Sequence, residues 1–372
     1  MRDILDQLDH WYAENTPFAL ATVVSTWSSA PRTVGASMAV SESGEVVGSV
    51  SGGCVEGAVY ELARDVLATG RPILQRYGVA DSDAFEVGLT CGGTLEIYVE
   101  LVDHDTFPEF PAVVAAHRDR DPVVTATVTA GPGQVGRRVV VVGDHVTGDI
   151  DHGRFRDAVV EAAQGLLAHG ANGSLRLGAG GERRMVDTSV FVESFAPAPE
   201  MIVFGAIDFA AAVVRIGKFL GYHVTVCDAR PVFATRARFA DADEVVVEWP
   251  HRYLEHRQID SRAVLCVLTH DPKFDLPLLQ VALKSPAAFI GAMGSRRTHE
   301  DRMRRLLEAG ITAAELERLS SPVGLDLGGR TPEETAVSIA AEIIARTWGG
   351  TGQPLKQTTD AIHRQSLVGA PL

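Results

Sequence analysis

The sequence predicts an α/β fold in two parts: a mixed α/β N-terminal domain and, after it, a doubly wound parallel sheet. Three observations lead there. Residues 201–348 alternate short apolar, β-branched runs with helical patterns, the order that gives parallel strands joined by crossover helices. Residues 1–195 hold strand and helix signals without that alternation. Between them, APAPE at 196–200 lacks donors at its prolines and favours extended chain, as a linker does. A chain of 372 residues is also longer than one core usually serves. The expected division is therefore 1–195, a linker at 196–200, 201–348, and a tail at 349–372 whose lack of an apolar stripe predicts mobility.

In chain order, residues 3–15 read as a helix and FALATVVSTW as a strand. MAVSESGEVVGSV reads as a hairpin around a Ser-Gly turn. After SGGC, Val55, Val59, Leu62 and Val66 fall on one helical face, whereas TLEIYVELV after TCGG alternates as a strand does. Strands follow at PVVTATVTA, RRVVVVG and TSVFVESF, with a helix over 153–169. In the second part MIVFGAI, HVTVCDAR, DEVVVEW, AVLCVLTH and AAFIGAMG read as strands. DFAAAVVRIGKFLG, 273–285 and 296–309 read as helices. A last helix, TPEETAVSIAAEIIARTW, carries Thr331 as N-cap, Pro332 in its first turn and Glu334 to complete a capping box. No internal repeat is evident.

A formal net charge of −14 speaks against a broad phosphate-binding face, so nucleic acid is not an expected partner. The acidic N-terminus and the want of a long apolar run predict a cytoplasmic protein without a membrane span. Four cysteines form no disulfide framework in such a compartment. Cys227 and Cys266, within apolar strands, read as buried thiols.

Cys54 and Cys91 differ, because each lies against two glycines. SGGC opens a helix, where unpaired N–H groups and the helix dipole favour an anion and a thiolate. Ser51, Gly52 and Gly53, with Gly92 and Gly93 of the second turn, are thus candidate cofactor-binding positions, and Cys54 and Cys91 candidate catalytic or metal-binding thiols. Arg32, in the SSAPRTVG loop, could reach an anion there or be an ordinary solvated arginine. In the second part Gly205 stands first in a glycine turn of dinucleotide-binding type, but Ile207 and Ala210 occupy its other glycine places. Ile207 is expected to obstruct a pyrophosphate, which makes NAD(P) doubtful. Asp228 is placed for a ribose hydroxyl. His270, Asp271 and Asp275 follow a strand and could bind metal, move protons or cap a turn. Gly294, Ser295 and Arg296 open a helix as an anion cradle would.

Taken in order, APRTVGASM, GSVSGGCVEGAV, LTCGGTLEI, CDARPVFA, THDPKFDLPLLQVAL, FIGAMGSRRT and SPVGLDLGGRTPEETAVSIAAEI resemble the XdhC/CoxI family of accessory proteins for molybdenum hydroxylases. The resemblance implies a cysteine-bearing N-terminal domain and a Rossmann-like C-terminal domain. It further implies a molybdenum cofactor carrier, more chaperone than turnover enzyme. Such a carrier assists sulfuration of the cofactor and delivers it to an apo xanthine dehydrogenase or related hydroxylase. The implied partners are that hydroxylase and a cysteine desulfurase-type sulfur donor, and Cys54 and Cys91 become possible molybdenum ligands. A homodimer is expected as the commonest oligomer. The alternatives are an NAD(P)-dependent oxidoreductase working through the second domain, and a purely structural partner of a hydroxylase.

Overall fold

FALATVVSTW, apolar and β-branched along its length, forms the centre of the first sheet. In the computed structural model, which describes residues 1–27, 32–78, 93–178, 180–182, 187–269 and 271–359, the chain divides into two units, Met1–Pro197 and Ala198–Thr359. In the first, α1 (Leu5–Ala13) leads into β1 (Phe18–Trp27), followed by β2 (Ser37–Ser41), β3 (Val46–Gly48), α2 (Glu56–Thr69), β4 (Ile73–Tyr77) and β5 (Thr94–Val102). Then come α3 (Phe110–Asp119), β6 (Val123–Ala130), β7 (Arg138–Val142), β8 (His145–Gly148), α4 (Arg154–Ala168), β9 (Gly173–Leu177) and β10 (Thr188–Phe195). These make two five-stranded sheets of order β3-β2-β1-β5-β4 and β8-β7-β6-β10-β9.

The two orders are the same, and the likeness reaches single residues. Val23 and Val128 each accept from a left-handed glycine, Gly35 or Gly136. One residue on, β1 and β6 each carry a bulge where the register slips, between Val23 and Ser25 and opposite Val190/Ser189. Gly48 and Gly148 close β3 and β8 with positive φ, and a Cβ on either would stand 2.3 Å from a carbonyl oxygen, that of Ser37 or Arg138. Glu100, opposite Leu20, matches Glu193, opposite Thr125. The unit is a duplication of one α-β-β-β-α-β-β motif. This corrects the expectation of no internal repeat: matched positions keep backbone geometry while their side chains diverge, as Ser37 and Arg138 do.

The second unit runs β11 (Glu200–Phe204), α5 (Asp208–Phe219), β12 (His223–Cys227), β13 (Glu244–Val246), α6 (Pro250–Glu255), β14 (Val264–Val267), α7 (Pro272–Ala282), β15 (Phe289–Ala292), α8 (Arg296–Glu308), α9 (Ala313–Leu316), β16 (Leu319–Ser320) and α10 (Pro332–Trp348). Its six-stranded sheet, of order β13-β12-β11-β14-β15-β16, is parallel throughout, as the Rossmann-like reading expects. Strand alternation sets the two faces. Met201 and Val203 pack with Val213 of α5 and Ile339 of α10, while Ile202 and Phe204 pack with Leu278 of α7 and Leu306 of α8. The order reverses between β11 and β14, so the ligand crevice of such a sheet falls beyond their carboxyl ends. Among the described residues, no helix is long and apolar enough to cross a membrane. Of the stretch 349–372, Leu355–Gln357 forms a short 3-10 turn and residues 360–372 lie outside the described residues.

Candidate functional site

SGGC lies in the connection from β3 to α2, and its conformation is set by Glu56, the first residue of that helix. The Glu56 carboxylate accepts from the Ser49 hydroxyl at 2.7 Å and the Ser51 N–H at 2.9 Å on Oε1. On Oε2 it accepts from the Ser51 hydroxyl at 2.5 Å and the Gly53 N–H at 2.8 Å. Ser51 Oγ in turn accepts from the N–H groups of Cys54 and Val55, at 3.0 and 2.9 Å, and Ser49 Oγ from that of Gly52 at 3.0 Å. Burial alone would raise the Glu56 carboxyl, but the hydrogen bonds from Ser51 and Ser49 outweigh it and lower it to about 2.

The backbone donors of SGGC are therefore not vacant, which corrects the expectation of an open anion cradle: the helix N-terminus already holds a carboxylate from its own first turn. An external anion here has to displace Glu56. What remains open is the outer surface of the turn. Gly52 and Gly53 have φ of 72° and 114°, and among the described residues nothing stands within 4 Å of the place a Cβ would take at each. Ser51 is buried, and Cys54 is half-buried against the cluster containing Val50, Val55, Tyr77 and Leu95. Gly93 is buried just before β5, two positions from Leu95. Cys91 and Gly92 lie outside the described residues. Arg32 lines a cleft with Gly48, Asn172 and Glu193 and pairs with Asp3 at 3.9 Å; Ser51–Cys54 are not among the described residues lining that cleft.

At the carboxyl edge of the parallel sheet, Gly205 turns from β11 into α5 with φ +106°, and a Cβ there would stand 2.8 Å from the Thr269 methyl and 3.0 Å from its nitrogen. Glycine is required at this position. Ile207 has φ −104°, needs no glycine, and packs partly against the core on the α5 face. Asp228 is 2% exposed and engaged by Arg230 and by the Ala206 N–H, so it offers no open acceptor to a ribose; this corrects its expected role. Burial raises its carboxyl, but these hydrogen bonds hold it below the usual range. His270 lies outside the described residues. Asp271 caps α7, accepting from the Lys273 N–H at 3.1 Å. Asp275, expected to bind metal or move protons, is instead buried against Arg302 at 3.1 Å and accepts from Thr269. Gly294 stands before Ser295, which caps α8 through the Thr298 N–H at 3.1 Å, and Arg296 is exposed in the first turn. Among the described residues, no group of three or more His, Cys, Asp or Glu side chains is disposed to hold a metal ion.

Cys227 and Cys266 are buried thiols, as expected, each pushed up to about 12 by that burial, which disfavours the thiolate. The sequence reading missed Glu56, Arg230 and Arg302. Glu56 had a signal, an acid in the first helical turn directly behind a serine and two glycines.

Residues 201–343 match the family model described as the XdhC Rossmann domain, and residues 11–78 and 116–178 match the XdhC and CoxI family. The chain is 26% identical over 342 residues to a probable xanthine dehydrogenase subunit of Bacillus subtilis (strain 168), covering 91% of this chain and 95% of that protein. It is 26% identical over 328 residues to the molybdenum cofactor insertion chaperone PaoD of Escherichia coli (strain K12), covering 88% and 82%. A crystal structure titled as a xanthine dehydrogenase from Bacillus halodurans superposes with a TM-score of 0.67 at 26% identity, over 92% of this chain and 95% of that one.

Proposed function

The chain belongs to the XdhC and CoxI family, and from that premise we propose that it carries molybdenum cofactor, assists exchange of an oxo for a sulfido ligand, and delivers the cofactor to an apo xanthine dehydrogenase-type molybdenum hydroxylase. The observation that carries this reading is the SGGC turn, where Cys54 adjoins two exposed glycines with no side-chain bulk in front of them among the described residues. A carrier of a dithiolene-bound metal needs soft sulfur close to the cargo and a surface the cargo can approach closely.

In this account Cys54 and Cys91 supply the sulfur chemistry, and Gly52, Gly53 and Gly92 let the cargo come against the backbone, while Gly93, buried before β5, takes no part in that contact. Ser51 and Glu56 fix the turn. Arg32 contributes a charge-assisted contact to the cofactor's phosphate. The sulfur comes from a cysteine desulfurase-type donor, and the carrier works as a homodimer. Support comes from the likeness to PaoD, whose name describes a molybdenum cofactor insertion chaperone.

The test is native mass spectrometry of the full chain purified from a molybdenum-replete host. A bound molybdopterin species is expected. A bound nicotinamide dinucleotide in its place would overturn the reading in favour of an oxidoreductase.

A further inference from the structure

Asp228 ends β12 where a doubly wound sheet presents an acid to a ribose diol, yet its lone pairs are taken. Oδ1 accepts from the Arg230 backbone N–H and from Arg230 Nε, both at 2.9 Å. Oδ2 accepts from Arg230 Nη2 at 2.7 Å and from the Ala206 N–H at 2.8 Å. The pairing leaves the other partner outward. A guanidinium has five N–H donors; Asp228 takes one on Nε and one on Nη2, and the Arg230 side chain stays 42% exposed.

Beside it stands an aromatic ring with a second cation. The Arg230 guanidinium is 4.6 Å from the Phe233 ring centroid, Arg238 is 5.7 Å from the same ring, and Phe233 is 40% exposed. Arg238 also donates to the Ala206 carbonyl at 3.1 Å, which ties this cationic group to the Gly205 turn. The nearby acids are balanced, Asp208 by Arg238 at 3.3 Å and Asp271 by Lys273 at 3.0 Å. The place where a diol acceptor belongs thus carries phosphate donors next to an apolar ring.

We propose that this edge of the parallel sheet binds a nucleoside bearing a phosphomonoester on its ribose, with Arg230 donating to the phosphate and Phe233 flanking the nucleoside. Asp228 acts as the positioning residue for Arg230, and because its oxygens are engaged it does not recognise an unphosphorylated ribose.

Titration calorimetry of the full chain with adenosine 2′-monophosphate, adenosine and inorganic phosphate tests this. The monophosphate binds at least about tenfold more tightly than either of the others, the discrimination expected of a charge-assisted contact. Arg230→Ala abolishes that binding and, by releasing the Asp228 oxygens, makes adenosine bind more tightly than it does to the unaltered chain; a merely structural arginine gives no such inversion. Adenosine or inorganic phosphate binding as tightly as the monophosphate, or no binding of the monophosphate at millimolar concentration, overturns the proposal. These comparisons on the unaltered chain decide it even if the variant does not fold.

Discussion

Glu56 holds Ser51 twice, accepting from its backbone N–H at 2.9 Å and from its hydroxyl at 2.5 Å. Because Ser51 Oγ then receives the Cys54 and Val55 N–H groups, one carboxylate orders the whole turn that presents Cys54. The helix N-terminus favours it there, and the same preference makes it the group a bound anion must compete with.

The Glu56 carboxyl lies at about 2, below its ordinary 4.5, so it contributes stability that is present above the unfolded value and is lost as pH falls from about 5 towards about 2. Glu56→Gln should remove that part of the acid-side slope and lower the melting temperature at neutral pH. Melting curves between those pH limits check it; identical slopes in both proteins would mean the carboxylate does not order the turn.

Gly48 and Gly148 answer to the same constraint in the two copies of the motif. Alanine at either places a Cβ 2.3 Å from a backbone oxygen, and each change should cost more than about 2 kcal/mol, since strain at positive φ adds to the clash. Gly52→Ala, with no described residue within 4 Å of its Cβ, should cost only about 1 kcal/mol. Denaturant titration of the three variants ranks them.

Arg302 ties the first turn of α7 to the exits of β15 and β16: it donates to Asp275 at 3.1 Å, to the Met293 carbonyl at 2.9 Å and to Ser321 at 2.9 Å, and it is 3% exposed. Arg302→Met takes from buried Asp275 the guanidinium it meets at 3.1 Å, and should destabilise the second unit by about 3–5 kcal/mol. Adding Asp275→Leu should restore much of the loss. Unfolding followed by hydrogen exchange at β14 and β15 distinguishes the two variants.

Ile207→Gly should not open a dinucleotide site. The residue has an ordinary φ and packs partly into the core, so the substitution should cost about 1–2 kcal/mol of stability. NAD binding measured before and after should be unchanged.

The long-range order of the second unit was legible because its strands are continuous apolar runs and its helices carry end signals. Thr331 and Glu334 form the capping box their spacing requires. The edge strands β4, β8 and β9 were not: Ile73–Tyr77, His145–Gly148 and Gly173–Leu177 are largely exposed or half-buried, so burial does not write an apolar pattern into them. Nor was the duplication, since what the copies share is backbone conformation at Gly35 and Gly136 or Gly48 and Gly148, while neighbouring residues such as Ala36 and Arg137 have nothing chemical in common. At the site, SGGC was visible but its occupant was not, because a serine-glycine turn before a helix reads alike whether it serves a ligand or the helix's own Glu56. Asp228 was visible as an acid at a strand end, whereas its engagement by Arg230 needed the geometry.

The most direct test of the carrier account is the state of the client hydroxylase when it is produced with Cys54→Ser or Cys91→Ser in place of the unaltered chain. Each substitution exchanges one small side chain for another and should leave the fold intact by circular dichroism. Molybdenum, pterin and cyanide-releasable sulfur are then measured in the purified client. The account predicts a client lacking cofactor or lacking releasable sulfur, and so inactive. A client with full molybdenum, full releasable sulfur and full activity when both cysteines are replaced would contradict it.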